Sequence, residues 1–167
     1  MASWRRMTVD DIPSLLRVAD AVHPDLPESD YVFTERVKVF PKGCLILSDK
    51  DNKIYGYAIS HPIRRGQPPA LDSLLHEIPV DANQYYIHDV AILPELRKRG
   101  HAAEGTRMLL EVASRFPTTC LVSVYGTGSF WNRFGFEEEV VDEALSEKLR
   151  NYGDDAVYMS RNNLAAS

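Results

Sequence analysis

Cysteine is scarce in this chain: Cys44 and Cys120 are its only two. Each sits inside an apolar, strand-like run, so both read as reduced, buried small hydrophobes and not as a disulfide framework. Positive charge is also in deficit, with 19 Lys and Arg against 24 Asp and Glu and a net charge of −5. An acidic chain without a long Lys/Arg run argues against a nucleic-acid partner and suits a cationic one better. No apolar run approaches the ~18 residues that would cross a bilayer, so no membrane partner is expected. The N-terminal MASWRRMTVDD lacks the apolar stretch of a secretory signal, and a cytoplasmic location is expected. Histidines 23, 61, 76, 88 and 101 show no paired metal-ligand spacing with Cys or Asp/Glu, so no metal site is expected.

What is present is enough apolar residue for one folded unit: 44% of 167 residues are hydrophobic and 26% charged. The length fits a single domain over residues 1–167, with its core at about 3–160. A short strand from Trp4 to Val9 precedes Asp10-Asp11, good N-cap residues, and the amphipathic run IPSLLRVADAV. His23-Pro24 breaks that helix. Ser29-Asp30 opens a second one, with Val32, Phe33, Val37 and Phe40 near helical period, which Pro41-Lys42-Gly43 closes. CLILS and KIYGYAIS, separated by a polar turn, read as a hairpin ending at Ser60. A Pro- and Gly-rich stretch from His61 to Gln84 follows, in which LDSLLHE suggests a helical turn. After it come a strand (Tyr85 to Leu93), a helix (His101 to Phe116), a strand (Thr119 to Val124), a short helix (Ser129 to Phe134), a strand (Glu137 to Val141), a charged helix (Asp142 to Arg150) and a last strand (Ala156 to Ser160). The class is α/β (α+β), a mixed sheet of about six to seven strands flanked by helices.

The segment YYIHDVAILPELRKRGHAAEGTRMLLEVA carries the chemistry. A strand running through a glycine turn into a helix leaves backbone N–H groups unpaired at the helix N-terminus, where the macrodipole is positive. Such an arrangement holds phosphate. Gly100 permits a close backbone approach, Ala102 leaves the helix start unobstructed, and Arg97, Lys98 and Arg99 add mobile charge. Read alone, the same residues are a solvated basic loop around a turn glycine.

The strand Val90-Ala91-Ile92, followed by Arg97-x-x-Gly100-x-Ala102, resembles the signature of the GNAT superfamily of N-acetyltransferases, Arg/Gln-x-x-Gly-x-Gly/Ala. LVSVYGTGSFWNRFGF adds an aromatic pair, Phe130-Trp131, and a Gly135-Phe136 ending, as the family has. The resemblance implies a splayed central sheet, acetyl-CoA between the fourth and fifth strands, and direct transfer to an amine. It implies that Val90, Ala91 and Ile92 hold the pantetheine arm, that Arg97 through Ala102, His101 included, hold the pyrophosphate, and that Phe130 and Trp131 border the thiol. Many members have Tyr where this chain has Trp131, as proton donor to the thiolate. Indole cannot donate in that way. Either Tyr125 takes the role, or the thiol leaves without a strong acid.

An amine attacks a thioester only as the free base, so a proton acceptor is sought on the strand before the loop. Alternation puts Tyr86, His88, Val90 and Ile92 on one face and Ile87, Asp89 and Ala91 on the other. His88 reads as the base, or else as a core histidine satisfied by a carbonyl; His61 is a second base candidate, or a loop residue before Pro62. Asp89 reads as structural. By resemblance the acceptor wall includes Asp25, Glu28, Asp30 and Asp72, which would attract an ammonium, while Tyr31, Phe33 and Tyr86 suit an arylalkylamine. A small primary amine is expected, with a protein N-terminus or lysine, or a non-catalytic acyl-CoA-binding module, as the alternatives. Family members are often dimers, so a homodimer is compatible with the resemblance.

Overall fold

Among the described residues, seven strands join in one sheet in the order β1-β2-β3-β4-β5-β7-β6, with five helices around it. The computed structural model describes residues 1–163. The strands are β1 (Ser3–Arg6), β2 (Cys44–Ser48), β3 (Ile54–Ile63), β4 (Gln84–Ile92), β5 (Thr118–Ser123), β6 (Glu137–Glu138) and β7 (Val157–Asn162). The helices are α1 (Ile12–Val22), α2 (Asp30–Val39), α3 (His101–Ala113), α4 (Gly128–Asn132) and α5 (Glu143–Arg150). All neighbours pair antiparallel except β4 and β5, which α3 connects as a parallel pair.

Each helix lies where its apolar stripe can be buried. Ile12, Leu15 and Val18 of α1 and Phe33 and Val37 of α2 pack on one face of the sheet against Ile46, Tyr57, Ile59 and Ala91. Leu109 of α3 and Trp131 of α4 pack on the other, with Ala58, Ile87, Ile92 and Leu121. Ahead of α1, the Asp11 carboxylate accepts from the Thr8 N–H and from both Nη atoms of Arg5, each at 2.8 Å, which fixes the turn out of β1.

Several expectations need correction. The first strand stops at Arg6, and the strand read over Glu137 to Val141 shrinks to two residues, Glu137–Glu138. The hairpin strand does not end at Ser60 but runs to Ile63, so His61 is a buried strand residue and not a loop residue. LDSLLHE forms no helix. Instead the loop is held by side chains: Glu35 accepts from the N–H groups of Leu75 (2.5 Å) and His76 (3.0 Å), and Asp72 accepts from Ser29 N–H at 2.7 Å.

The most consequential difference is in β4. Its register against β3 shifts between Ile59↔Asp89 and Ser60↔Ile87, leaving His88 as an extra residue, a β-bulge. The extra residue inverts the alternation beyond it. Ile87, Val90 and Ile92 therefore share the α3 face, and Tyr86, Asp89 and Ala91 share the opposite one, where Ala91 joins the α1/α2 core and Tyr86 packs with Leu145 of α5. His88 and Asp89, expected on opposite sides, both reach partners on the α1 side.

Candidate functional site

The parallel pair β4–β5 is hydrogen-bonded only from Tyr85–Ile87 to Thr119–Leu121, among the described residues. Beyond that the two strands part, and a cleft of about 990 Å³ opens between them. The edge of β4 after the bulge is thus left with backbone groups that no strand satisfies, a surface ready to pair with an extended amide-bearing ligand.

One end of the cleft is the start of α3. The chain leaves β4 through a 3₁₀ turn at Pro94–Leu96, and Arg97 Nε donates back to the Ile92 carbonyl at 3.0 Å. Lys98 (φ 63°) and Gly100 (φ 85°) both adopt left-handed backbone, and Gly100 is the N-cap of α3. Nothing lies within 4 Å of the position a Cβ would take on Gly100, so glycine is required there for its φ and the space in front of it is open. Helix geometry leaves the N–H groups of His101, Ala102 and Ala103 without intrahelical partners. Trp4 sets the helix in place: its Nε1–H donates to the His101 carbonyl at 2.8 Å, and its indole packs so closely on Gly105 that a Cβ there would sit 2.7 Å from the ring. Arg97, Lys98, His101 and Ala102 line the cleft. The opposite wall is α4, where Phe130 and Trp131 meet edge to face at 4.9 Å.

The other end of the cleft is polar, and it is built from two imidazole–carboxylate pairs. His88 Nε2 lies 2.6 Å from Glu28 Oε1, with side chains only 2% and 5% exposed, and Glu28 also accepts from the Asp72 N–H at 3.0 Å. Burial alone would raise the Glu28 pKa, but the electrostatic attraction and hydrogen bond of the His88 ring outweigh it and hold the carboxyl below its ordinary value. His23, the residue after α1, lies with Nε2 2.8 Å from Asp89 Oδ1, and Asp89 Oδ2 accepts from the Tyr57 hydroxyl at 2.5 Å. Burial would depress the His23 pKa, yet the charge of Asp89 and its hydrogen bond raise it overall, with Glu28 adding to them and Arg97 opposing. His23 also stacks on Tyr125, rings 5.5 Å apart and 13° from parallel. His23, Glu28, His88, Asp89 and Tyr125 all line the cleft.

Residues 9–136 match the Acetyltransferase (GNAT) family. The chain belongs to the GNAT acetyltransferase family. Its fold is shared by the loading GNATL domain of CurA from Lyngbya majuscula, at TM-score 0.81 and 15% identity, covering 99% of each chain. It is shared too by the GphF GNAT-like decarboxylase in complex with isobutyryl-CoA, at TM-score 0.79 and 13% identity, covering 96% of this chain and 99% of that one. A ribosomal-protein alanine N-acetyltransferase from Escherichia coli has TM-score 0.68 and 15% identity, covering 97% and 94%. A search of curated protein sequences returned no match. Relatives this distant establish the architecture and leave the acceptor open.

Within the GNAT architecture, the structure sorts the residues singled out in the sequence. It brings His88, Tyr125, Val90, Ile92, Arg97, Lys98, Gly100, His101, Ala102, Phe130, Trp131 and Glu28 to the cleft. Arg99 does not line the cleft, and the Ala91 side chain is buried in the core on the α1 side. Tyr31 is 53% exposed and off the cleft. His61 and Tyr86 are fully buried behind it, their rings 5.6 Å apart, and burial first, then nearby Arg36, drives the His61 pKa down to about 3, so that its ring stays neutral. Of the acids expected to draw an ammonium, two are already bonded: Glu28 to His88 and the Asp72 N–H, and Asp72 to Ser29.

His23, Asp89, Tyr57, Tyr152 and Leu71 were not read as site residues from the sequence. His23 looked like a helix breaker, and only the bulge, which no glycine announces, turns Asp89 toward it. Arg36 was likewise invisible: its side chain is 1% exposed, bonded through Nη1 to Glu35 at 3.1 Å, and lies near Glu28 and Tyr86. Among the described residues, no group of three or more His, Cys, Asp or Glu is placed to hold a metal, and no helix is long and apolar enough to cross a membrane.

Proposed function

We propose that this chain transfers an acetyl group from acetyl-CoA directly to a small primary amine. The observation that carries this reading is one continuous cleft that has the unpaired edge of β4 along its side, the Gly100-capped start of α3 at one end and the Glu28-bound His88 at the other. The residues fit the cofactor. The open space at Gly100 and the free N–H groups of the first turn of α3, with Arg97 and Lys98 beside them, suit a pyrophosphate, and the β4 edge suits the amides of pantetheine. Bound there, acetyl-CoA supplies an activated thioester.

His88 is the proton acceptor in this reading. Glu28, an acceptor only, fixes the ring with N–H at Nε2 and leaves the Nδ1 lone pair to take a proton from the amine. The acceptor side favours an amine with a short apolar body over a polyamine, because Ala21, Val22, Leu26 and Leu71 line it while Glu28 and Asp72 are already bonded.

The test is CoA release from acetyl-CoA across polyamines, amino sugars, amino acids, alkyl- and arylalkylamines and short peptides. An apolar primary amine should stimulate release, and His88→Ala should lower kcat by about 10²–10⁴-fold while acetyl-CoA Kd changes little. Tight acetyl-CoA binding with no amine-dependent release would replace the reading with a non-catalytic module. Faster turnover of peptides than of any small amine would replace the acceptor class.

A further inference from the structure

In the reaction just proposed the departing thiolate ends as a thiol, and Trp131 cannot supply that proton. Tyr125 is the candidate nearest to it in sequence, but this residue is 46% exposed and its pKa is raised, by burial first and then by Asp25, Asp89 and Asp155. The upward shift makes this phenol a weaker acid than an ordinary tyrosine, and so a poorer donor.

His23 is different in every respect that matters. It lies after the last turn of α1, reaches Asp89 on β4 with one ring nitrogen, and lays its ring face on Tyr125 beyond the end of β5. It therefore spans the gap where the two strands part. Asp89 accepts from Tyr57 and His23 together, so the His23 ring is fixed with N–H at Nε2. The other nitrogen, Nδ1, is buried and has no hydrogen-bond partner among the described residues. We propose that His23, held and oriented by Asp89, is the proton donor to the departing thiolate. The inference rests on the direct-transfer reading above.

The step balances. As the amine nitrogen bonds to the acyl carbon and sheds a proton to His88, the carbon–sulfur bond breaks with its electrons on sulfur. His23 Nδ1 gives its proton to that sulfur, leaving CoA as the thiol and the ring neutral, and the ring recovers a proton from water. Asp89 acts as a positioning residue. The charged and titratable groups around His23 are Asp89 and Tyr57 from the sheet, Glu28 from the α1–α2 connection, Arg97 from the loop before α3, and Tyr125 from the β5–α4 turn. The carboxylates outweigh Arg97 and favour the protonated ring.

The decisive variant is His23→Gln, whose amide still reaches Asp89 but has no acidic proton. With the amine found above, kcat should fall about 100-fold while acetyl-CoA Kd stays within about twofold. In the wild type kcat should decline on the alkaline side as His23 loses its proton, and Asp89→Asn should move that limb toward lower pH. A readout without any cofactor accompanies these: ring ¹⁵N NMR of the free protein should show His23 titrating at lower pH in Asp89→Asn than in the wild type. Three results would overturn the assignment: full kcat in His23→Gln, parallel losses of kcat and Kd, or an alkaline limb that survives His23→Gln and vanishes in Tyr125→Phe. If the wild type itself shows no amine-dependent release, the reaction reading fails and this one with it. Release by the wild type with an unaffected His23→Gln defeats only the role of His23.

Discussion

The two ends of the cleft are built in opposite ways. At the α3 end most devices are local in sequence: β4, the Pro94–Leu96 turn, the left-handed Gly100 and the first turn of α3 follow one another within about twenty residues, with Trp4 the distant exception. Its partners are backbone groups, which any sequence of suitable turn chemistry can present. At the polar end the contacts are side-chain pairs between distant segments, His23 with Asp89 across 66 residues and Glu28 with His88 across 60. The first kind of site tolerates change in most side chains but not in φ, and the second depends on individual atoms. The difference predicts where substitutions act on stability and where they act on ligand binding.

The largest effect should come from Glu28→Gln, which keeps an oxygen for the Asp72 N–H but removes the charge facing His88. We expect a loss of about 1–3 kcal/mol at neutral pH, measured by chemical denaturation. The carboxyl's pKa is depressed in the folded protein, so its contribution is present above the unfolded value of about 4.3 and fades as pH falls through the folded one. The gap between variant and wild type should therefore close in acid. Equal gaps at pH 7 and pH 3.5 would mean that shape, and not charge, holds the pair.

Gly100→Ala probes the other end. A left-handed φ of 85° costs an L-residue roughly 1–2 kcal/mol, and relieving it would tilt the N–H groups that open α3. Acetyl-CoA Kd should weaken about tenfold, with kcat at saturation nearly unchanged. A variant with wild-type Kd would show that the side chains of Arg97 and Lys98, and not the backbone, hold the anion.

This contrast also explains what could be read in the sequence. Most elements, a mixed sheet of about six to seven strands and the basic glycine loop were legible because periodicity and turn chemistry are local. The polar end was not. His88 was legible as a candidate, but its partner Glu28 was expected to greet a substrate, and His23 and Asp89 carried no motif. The cause is the bulge at His88: one unpaired residue reverses every facing beyond it, and nothing in YYIHDVAI marks the place. The long loop misled in a similar way, since LDSLLHE has helical composition but its backbone is bonded to Glu35 and to its own turns.

Trp4→Phe tests whether the α3 end depends on anything distant at all. The indole donates to the His101 carbonyl and closes over Gly105, so β1, almost a hundred residues away, steadies the helix start. Removing the hydrogen bond should cost about 0.5–1.5 kcal/mol of stability and shift acetyl-CoA Kd by no more than a few fold.

The smallest effects should come from the basic triplet, and their ranking is the finest test of the geometry. Lys98 lines the cleft and Arg99 does not. Exposed cations act on a bound phosphate through water and salt, so each contributes little and less at high ionic strength. Lys98→Ala should weaken acetyl-CoA binding by about two- to fivefold at low salt, an effect that shrinks at 0.5 M salt, whereas Arg99→Ala should be indistinguishable from wild type in both. Equal losses from the two would mean that the α3 end acts as a diffuse positive field. A loss from Lys98 alone would mean that the direction set by its left-handed backbone decides which charge the ligand meets.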